Sequence, residues 1–178
     1  MKIAIDVGGV LTDYEGNESG DTKIINVDGA IDVLTKLKAQ SHNLYIVSYC
    51  KEKSAIFRTN KLKLDGDDHF FDYEFYTANK YEKFHIINHI QADIMIDDNE
   101  QILNNIKQSD PNVITILFQE FNDNPKGKHK KHLLANNWTE VDKLIENITI
   151  GNRTKGEPLE LSNFYSIKNI HEKAIFVE

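Results

Sequence analysis

The chain has 178 residues, 40% hydrophobic and 28% charged, the composition of an ordinary globular domain long enough to bury a core. Lys and Arg number 21 against 28 Asp and Glu, and the net charge of −7 argues against a general nucleic-acid coat while leaving room for a local basic patch. Cys50 is the only cysteine, so no internal disulfide is available and a reducing, cytoplasmic compartment is expected; no stretch approaches the roughly 18 apolar residues of a membrane span, and Asp6 interrupts an apolar start too short for a secretory signal.

In chain order, short apolar runs alternate with segments of helical period. Ile3 to Ile5 reads as a buried strand ending at Asp6. A polar stretch from Tyr14 to Ile25, with Gly16 and Gly20, is expected to form a flexible flap. Ala30, Val33, Leu34 and Leu37 recur at helical spacing, with Asp28 as the expected N-cap. Leu44 to Val47 is a strand ending at Ser48, and Lys51 to about Lys63 reads as a helix. Tyr73 to Tyr76 is a strand, followed by a helical stripe of Phe84, Ile86, Ile87 and Ile90. Ile94 to Ile96 is a strand ending at Asp97 and Asp98, and Asn99 is placed to cap a helix burying Ile102, Leu103 and Ile106. Val113 to Phe118 is the last clear strand. After a polar loop, Asn137 and Glu140 stand at capping-box spacing before a helix with Trp138, Val141, Leu144, Ile145 and Ile148. Residues 149–178 fit the alternation poorly, although Ala174 to Val177 has the makings of a short strand.

This alternation predicts an α/β fold, a Rossmann-like three-layer sandwich around a parallel sheet of about five strands. Residues 1–150 are read as the catalytic domain and 151–178 as a C-terminal extension. Right-handed crossovers put every strand's carboxyl end on one edge, where ligands bind in such folds. Asp6, Ser48, Asp97 and Asp98 end strands at that edge. Carboxylates gathered there repel one another unless a cation sits among them, and hard oxygen ligands suit Mg²⁺. A carboxylate nucleophile, a hydroxyl and a lysine beside such a metal suit phosphoryl transfer. The bland alternative is that Asp97 and Asp98 only cap the following helix and Asp6 its own turn.

Four motifs in order resemble the haloacid dehalogenase-like (HAD) superfamily. They are Asp6-Val7-Gly8-Gly9-Val10-Leu11-Thr12-Asp13 after an apolar strand, Ser48 after Leu44–Val47, a lysine within Asn79-Lys80-Tyr81-Glu82-Lys83, and Asp97-Asp98 after Ile94-Met95-Ile96. The resemblance implies a Mg²⁺-dependent phosphatase with Asp6 as nucleophile. It implies metal binding by Asp6, the Gly8 carbonyl and Asp98, with Asp97 binding directly or through water. Gly9, Ser48 and Lys83 would contact the substrate. Lys83 is preferred as the motif lysine and Lys80 is the alternative.

Most phosphatases of this superfamily carry an acid–base Asp two residues after the nucleophile, where this chain has Gly8. A catalytically weak relative that binds a phosphorylated ligand or protein partner is therefore the alternative reading. A response-regulator receiver domain is disfavoured, because receivers place the acidic pair first and the lysine last. The intervals Asp13–Asp28 and Ser48–Lys83 are too short for a large cap domain, so a capless, open site is expected. Such a site suits a large substrate, such as a nucleic-acid end or a phosphoprotein, or needs a partner subunit as lid. The expected partner is a phosphorylated small molecule or macromolecule, a nucleotide or other polyanionic phosphate among them. The basic run Lys126, Lys128, His129, Lys130, Lys131 and His132 is either a solvated loop or an electrostatic guide, with Lys128 and Lys130 contacting an anionic substrate. Cys50 and Trp138 read as packing residues, and the acidic cluster 65–68 as a polar turn.

Overall fold

Ile3, Ala4 and Ile5 are fully buried, which requires cover on both faces of the strand that carries them. That strand, β1 (Lys2–Ile5), runs through the middle of a six-stranded sheet. The computed structural model describes residues 1–16, 22–49, 71–119 and 131–155. The other strands of the sheet are β4 (Asn43–Tyr49), β5 (Tyr73–Thr77), β6 (Ile94–Asp97), β7 (Ile114–Phe118) and β8 (Leu133–Ala135). Their spatial order is β5-β4-β1-β6-β7-β8, and every neighbouring pair is parallel. Ile5 pairs with Ile46 on one side and Ile96 on the other, so the carboxyl ends share one edge, where β4 runs on three residues past Ile46.

Side-chain alternation along the strands builds two cores. Ile3, Ile5, Ile46, Ile94, Ile96 and Ile116 face α1 (Ala30–Ala39) and α4 (Trp138–Lys155). Ala4, Val47, Met95 and Leu117 face α2 (Lys83–Ile90) and α3 (Glu100–Ser109). This is the three-layer Rossmann-like sandwich expected, with six strands in place of about five. The added strand, β8, lies in the stretch read as a polar loop, where its three residues are all buried. Among the described residues, no helix is long and apolar enough to cross a membrane.

Several local expectations change. Thr12–Gly16 (β2) and Thr22–Asn26 (β3) pair as an antiparallel hairpin, which gives the expected flap a regular base. Helix α1 is not capped by Asp28; Gly29 holds the N-cap at φ 72° with no side-chain cap bond. Asn99 does cap α3, accepting from the amides of Gln101 and Ile102. Asn137 Oδ1 accepts from the Glu140 amide at 2.9 Å, but the Glu140 carboxylate reaches the Asn136 amide instead of completing the reciprocal box. Helix α4 continues past Ile148 and through Gly151 to Lys155. His132 is not an exposed member of the basic run: it is buried, with Nδ1 2.7 Å from Thr115 Oγ1. Cys50, the helix at 51–63, the acidic cluster 65–68, Lys126, Lys128, His129, Lys130 and the strand at 174–177 lie outside the described residues. So do residues 50–70, where a cap would be inserted between the second and third motifs.

Candidate active site

The chain places acidic residues where β1 and β6 stop. The Asp6 amide donates to the Ile96 carbonyl at 2.9 Å, extending the β1–β6 ladder by one bond and setting Asp6 beside Asp97. Lys83 opens α2 on the face that covers these strand ends. Its side chain is 1% exposed, and its Nζ stands 3.0 Å from Asp6 Oδ1 and 2.7 Å from Asp97 Oδ2. The other Asp97 oxygen, Oδ1, accepts from the Asn99 amide at 2.8 Å. Lys83, not Lys80, therefore enters the acidic cluster, while Lys80 Nζ lies 5.0 Å from the ring centroid of Tyr81.

Ligand oxygens of Asp6, Asp97 and Asp98 all lie within 4.8 Å of one another, the one such group among the described residues. Three carboxylates, Asp6 and Asp97 buried and Asp98 exposed, gather around a single ammonium, so the cluster carries excess negative charge. Burial and the Asp6 charge push the Asp97 carboxyl up to about 7, against the opposing pull of Lys83. Burial would lower the Lys83 ammonium, but the charges of Asp6 and Asp97 outweigh it and hold it above its usual value. Hard oxygen donors, surplus negative charge and carboxylates at one point fit a divalent cation such as Mg²⁺.

Ser48 is buried at the end of β4, and its hydroxyl has no hydrogen-bond partner among the described residues. The same holds for Thr77 at the end of β5, a residue the sequence reading passed over. A buried hydroxyl without a partner costs about 1–3 kcal/mol, a penalty that a bound anion would relieve.

No protein-family model matches the chain, and no curated protein matches it. Solved structures do. A structure described as a β-phosphoglucomutase of Thermotoga maritima superposes with a TM-score of 0.62 at 10% identity, covering 83% of this chain and 99% of that one. The D,D-heptose 1,7-bisphosphate phosphatase of B. bronchiseptica, complexed with magnesium and phosphate, gives 0.58 at 12% identity, covering 83% and 99%. A HAD-superfamily hydrolase of Ehrlichia chaffeensis gives 0.52 at 16% identity, covering 76% and 62%. The chain has the HAD-like fold.

Within that fold, the loop after β1 is tightly constrained. Gly9 sits at φ +72°, and a Cβ added there would lie 2.5 Å from Asp98 Oδ2. The Val7 carbonyl accepts from the amides of Leu11 and Thr12 at 2.9 Å each, and the Gly9 amide donates to the Thr12 carbonyl at 2.8 Å. From the far side, the fully buried Trp138 donates its indole N–H to the Val10 carbonyl at 2.8 Å. Trp138 is thus the packing residue expected, and it also anchors the loop carrying Gly8 and Gly9. Gly9→Ala should destabilise the protein by about 1–3 kcal/mol through backbone strain and displacement of Asp98. Chemical denaturation measures this, and an unchanged midpoint would refute the close approach.

Proposed function

We propose that this protein is a Mg²⁺-dependent phosphomonoester hydrolase with the HAD fold, acting through a phosphorylated Asp6. The observation that carries the reading is Lys83, buried and bridging Asp6 and Asp97 at the carboxyl edge of the sheet. The ion pair on Oδ1 orients the Asp6 carboxylate. In the first step an Asp6 oxygen bonds to phosphorus as the ester P–O bond breaks, and the leaving oxygen departs with the electron pair. In the second, water attacks the aspartyl-phosphate, releasing inorganic phosphate and restoring the carboxylate. The Lys83 ammonium, and in this reading the Ser48 hydroxyl, would stabilise charge on the phosphoryl oxygens. Asp6, Asp98, the Gly8 carbonyl and Asp97 would hold Mg²⁺, which supplies positive charge to the same oxygens.

Hydrolysis of an aryl phosphate with and without Mg²⁺ tests this reading. Wild type should turn over only with the metal, and Asp6→Asn should fall to background. Gly8 favours a second reading, a phosphate-binding protein with little turnover. That reading predicts phosphate binding in wild type with no difference in hydrolysis between it and Asp6→Asn.

The metal part of the proposal carries a pH signature. An unfolded Asp titrates near about 4, whereas folded Asp97 holds its proton up to about 7. Its contribution to the stability of the metal-free protein is complete below about pH 4 and is lost as pH rises through about 7. A divalent cation favours the ionised form instead. The thermal shift produced by Mg²⁺ should therefore grow as pH rises through about 7, and Asp97→Asn should flatten that growth. Equal shifts on both sides of this range would contradict it.

A further inference from the structure

The large apolar side chains exposed among the described residues are Tyr49, Tyr73, Tyr81 and Ile150. Tyr73 begins β5 and Ile150 lies in the last turns of α4, but Tyr49 and Tyr81 belong to the carboxyl edge. Tyr49 ends β4 immediately after Ser48 and pairs in register with Thr77, the buried residue whose hydroxyl has no partner among the described residues. Alternation puts Tyr49 and Thr77 on the same sheet face as Val47, the face that α2 covers and from which Lys83 enters the cluster.

Tyr81 approaches the same edge from the other side. It lies in a short 3-10 turn, Lys80–Glu82, two residues before Lys83. Its amide donates to Asn79 Oδ1 at 3.0 Å, and its hydroxyl donates to Gln101 Oε1 at 3.0 Å. Gln101 is in the first turn of α3, three residues after Asp98. Tyr81 is therefore tied between the segment that carries Lys83 and the segment that follows the acidic pair. It remains 38% exposed, and Tyr49 45%, although both are large rings. A ring already held in place loses little freedom when a second ring packs on it.

We propose that Tyr49 and Tyr81 form a leaving-group subsite that selects aryl phosphomonoesters, in which phosphate is esterified to a phenolic oxygen. This rests on the phosphatase reading and extends it to a substrate class. The chemistry at Gly8 chooses the ring. With no carboxylic acid at that position, a leaving oxygen that needs no proton is favoured, and a phenolate departs without one far more readily than an alkoxide. The Asp6–phosphorus bond forms, the phosphorus–phenolic oxygen bond breaks, and the phenolate takes its proton from solvent on release. Rings packed edge-to-face or offset against the tyrosines complete the recognition. A phosphotyrosine side chain and a small aryl phosphate share this chemistry.

Binding of non-hydrolysable phosphonates in the presence of Mg²⁺ separates the subsite from turnover. Phenylphosphonate should bind wild type about three- to tenfold more tightly than methylphosphonate, the range expected for one good aromatic contact. The Tyr49→Leu/Tyr81→Leu double variant should bring that ratio close to one, and Tyr81→Phe, which keeps the ring, should retain it. A wild-type ratio near one, or a ratio that survives the double variant, overturns the subsite. Ring preference without hydrolysis of phenyl phosphate overturns the phosphatase reading and leaves the subsite standing. Failure of both phosphonates to bind overturns both. A lower KM for a phosphotyrosyl peptide than for phenyl phosphate assigns the ring to a protein substrate, and equal values assign it to a small molecule.

Discussion

Replacing Lys83 by methionine is expected to destabilise the metal-free protein by about 3–5 kcal/mol, the range for removing one partner of a buried ion pair. Methionine nearly matches the volume of the lysine stem, so lost packing contributes little. What remains is Asp6 and Asp97 at the strand ends with the charge that compensated them removed. Asp97, already pushed up to about 7, should hold its proton to still higher pH, so the defect should deepen as the medium becomes more alkaline. Urea unfolding at several pH values measures both effects. Lys80→Met serves as the comparison, because Lys80 Nζ lies over the Tyr81 ring and outside the cluster. Similar losses for the two variants would show that Lys83 does not carry this burden.

The second large effect concerns leaving groups. A positioned general acid is worth about 10²–10⁴ in rate, and Gly8 supplies none. Wild-type turnover of aryl phosphates should therefore exceed that of alkyl phosphates by a factor of this order. Gly8→Asp should narrow the gap by raising alkyl turnover. The backbone permits that side chain: the glycines with positive φ among the described residues are Gly9 and Gly29, not Gly8. Steady-state kcat over a leaving-group series measures the effect. Equal wild-type rates for both ester classes, with the first step shown to be limiting, would contradict it.

Much of the sheet was legible because its strands are buried on both faces. Runs such as Ile3–Ile5 and Ile94–Ile96 are apolar without interruption, and each gives way to a carboxylate at its carboxyl end. Asp6, Asp97, Asp98 and Lys83 could be read as one site for the same reason: a parallel sheet brings its strand ends to one edge. Lys83 is preferred over Lys80 from the sequence because it begins the apolar stripe, and the structure adds that its Nζ stands 3.0 Å from Asp6 and 2.7 Å from Asp97 while Lys80 Nζ lies by the Tyr81 ring. Strand β8 escaped notice because Leu133–Ala135 is only three residues long and follows a run of charge. His132 was misread with that run, although the pleat beside β7 buries it against Thr115. The N-cap of α1 was misassigned because Asp28 has the usual chemistry, whereas the turn uses the left-handed backbone of Gly29. Tyr49, Tyr81 and Thr77 carried no sequence signal, because their interest comes from sharing an edge with residues distant in the chain.

The most direct measurement is the fate of Asp6 during turnover. Wild-type protein mixed with an aryl phosphate and Mg²⁺, quenched in acid and digested, should yield an Asp6 peptide heavier by one phosphoryl group. The adduct should be absent without metal and absent from Asp6→Asn. Hydrolysis that proceeds with Asp6 unmodified at every quench time, or that persists at the wild-type rate in Asp6→Asn, would contradict Asp6 as the nucleophile.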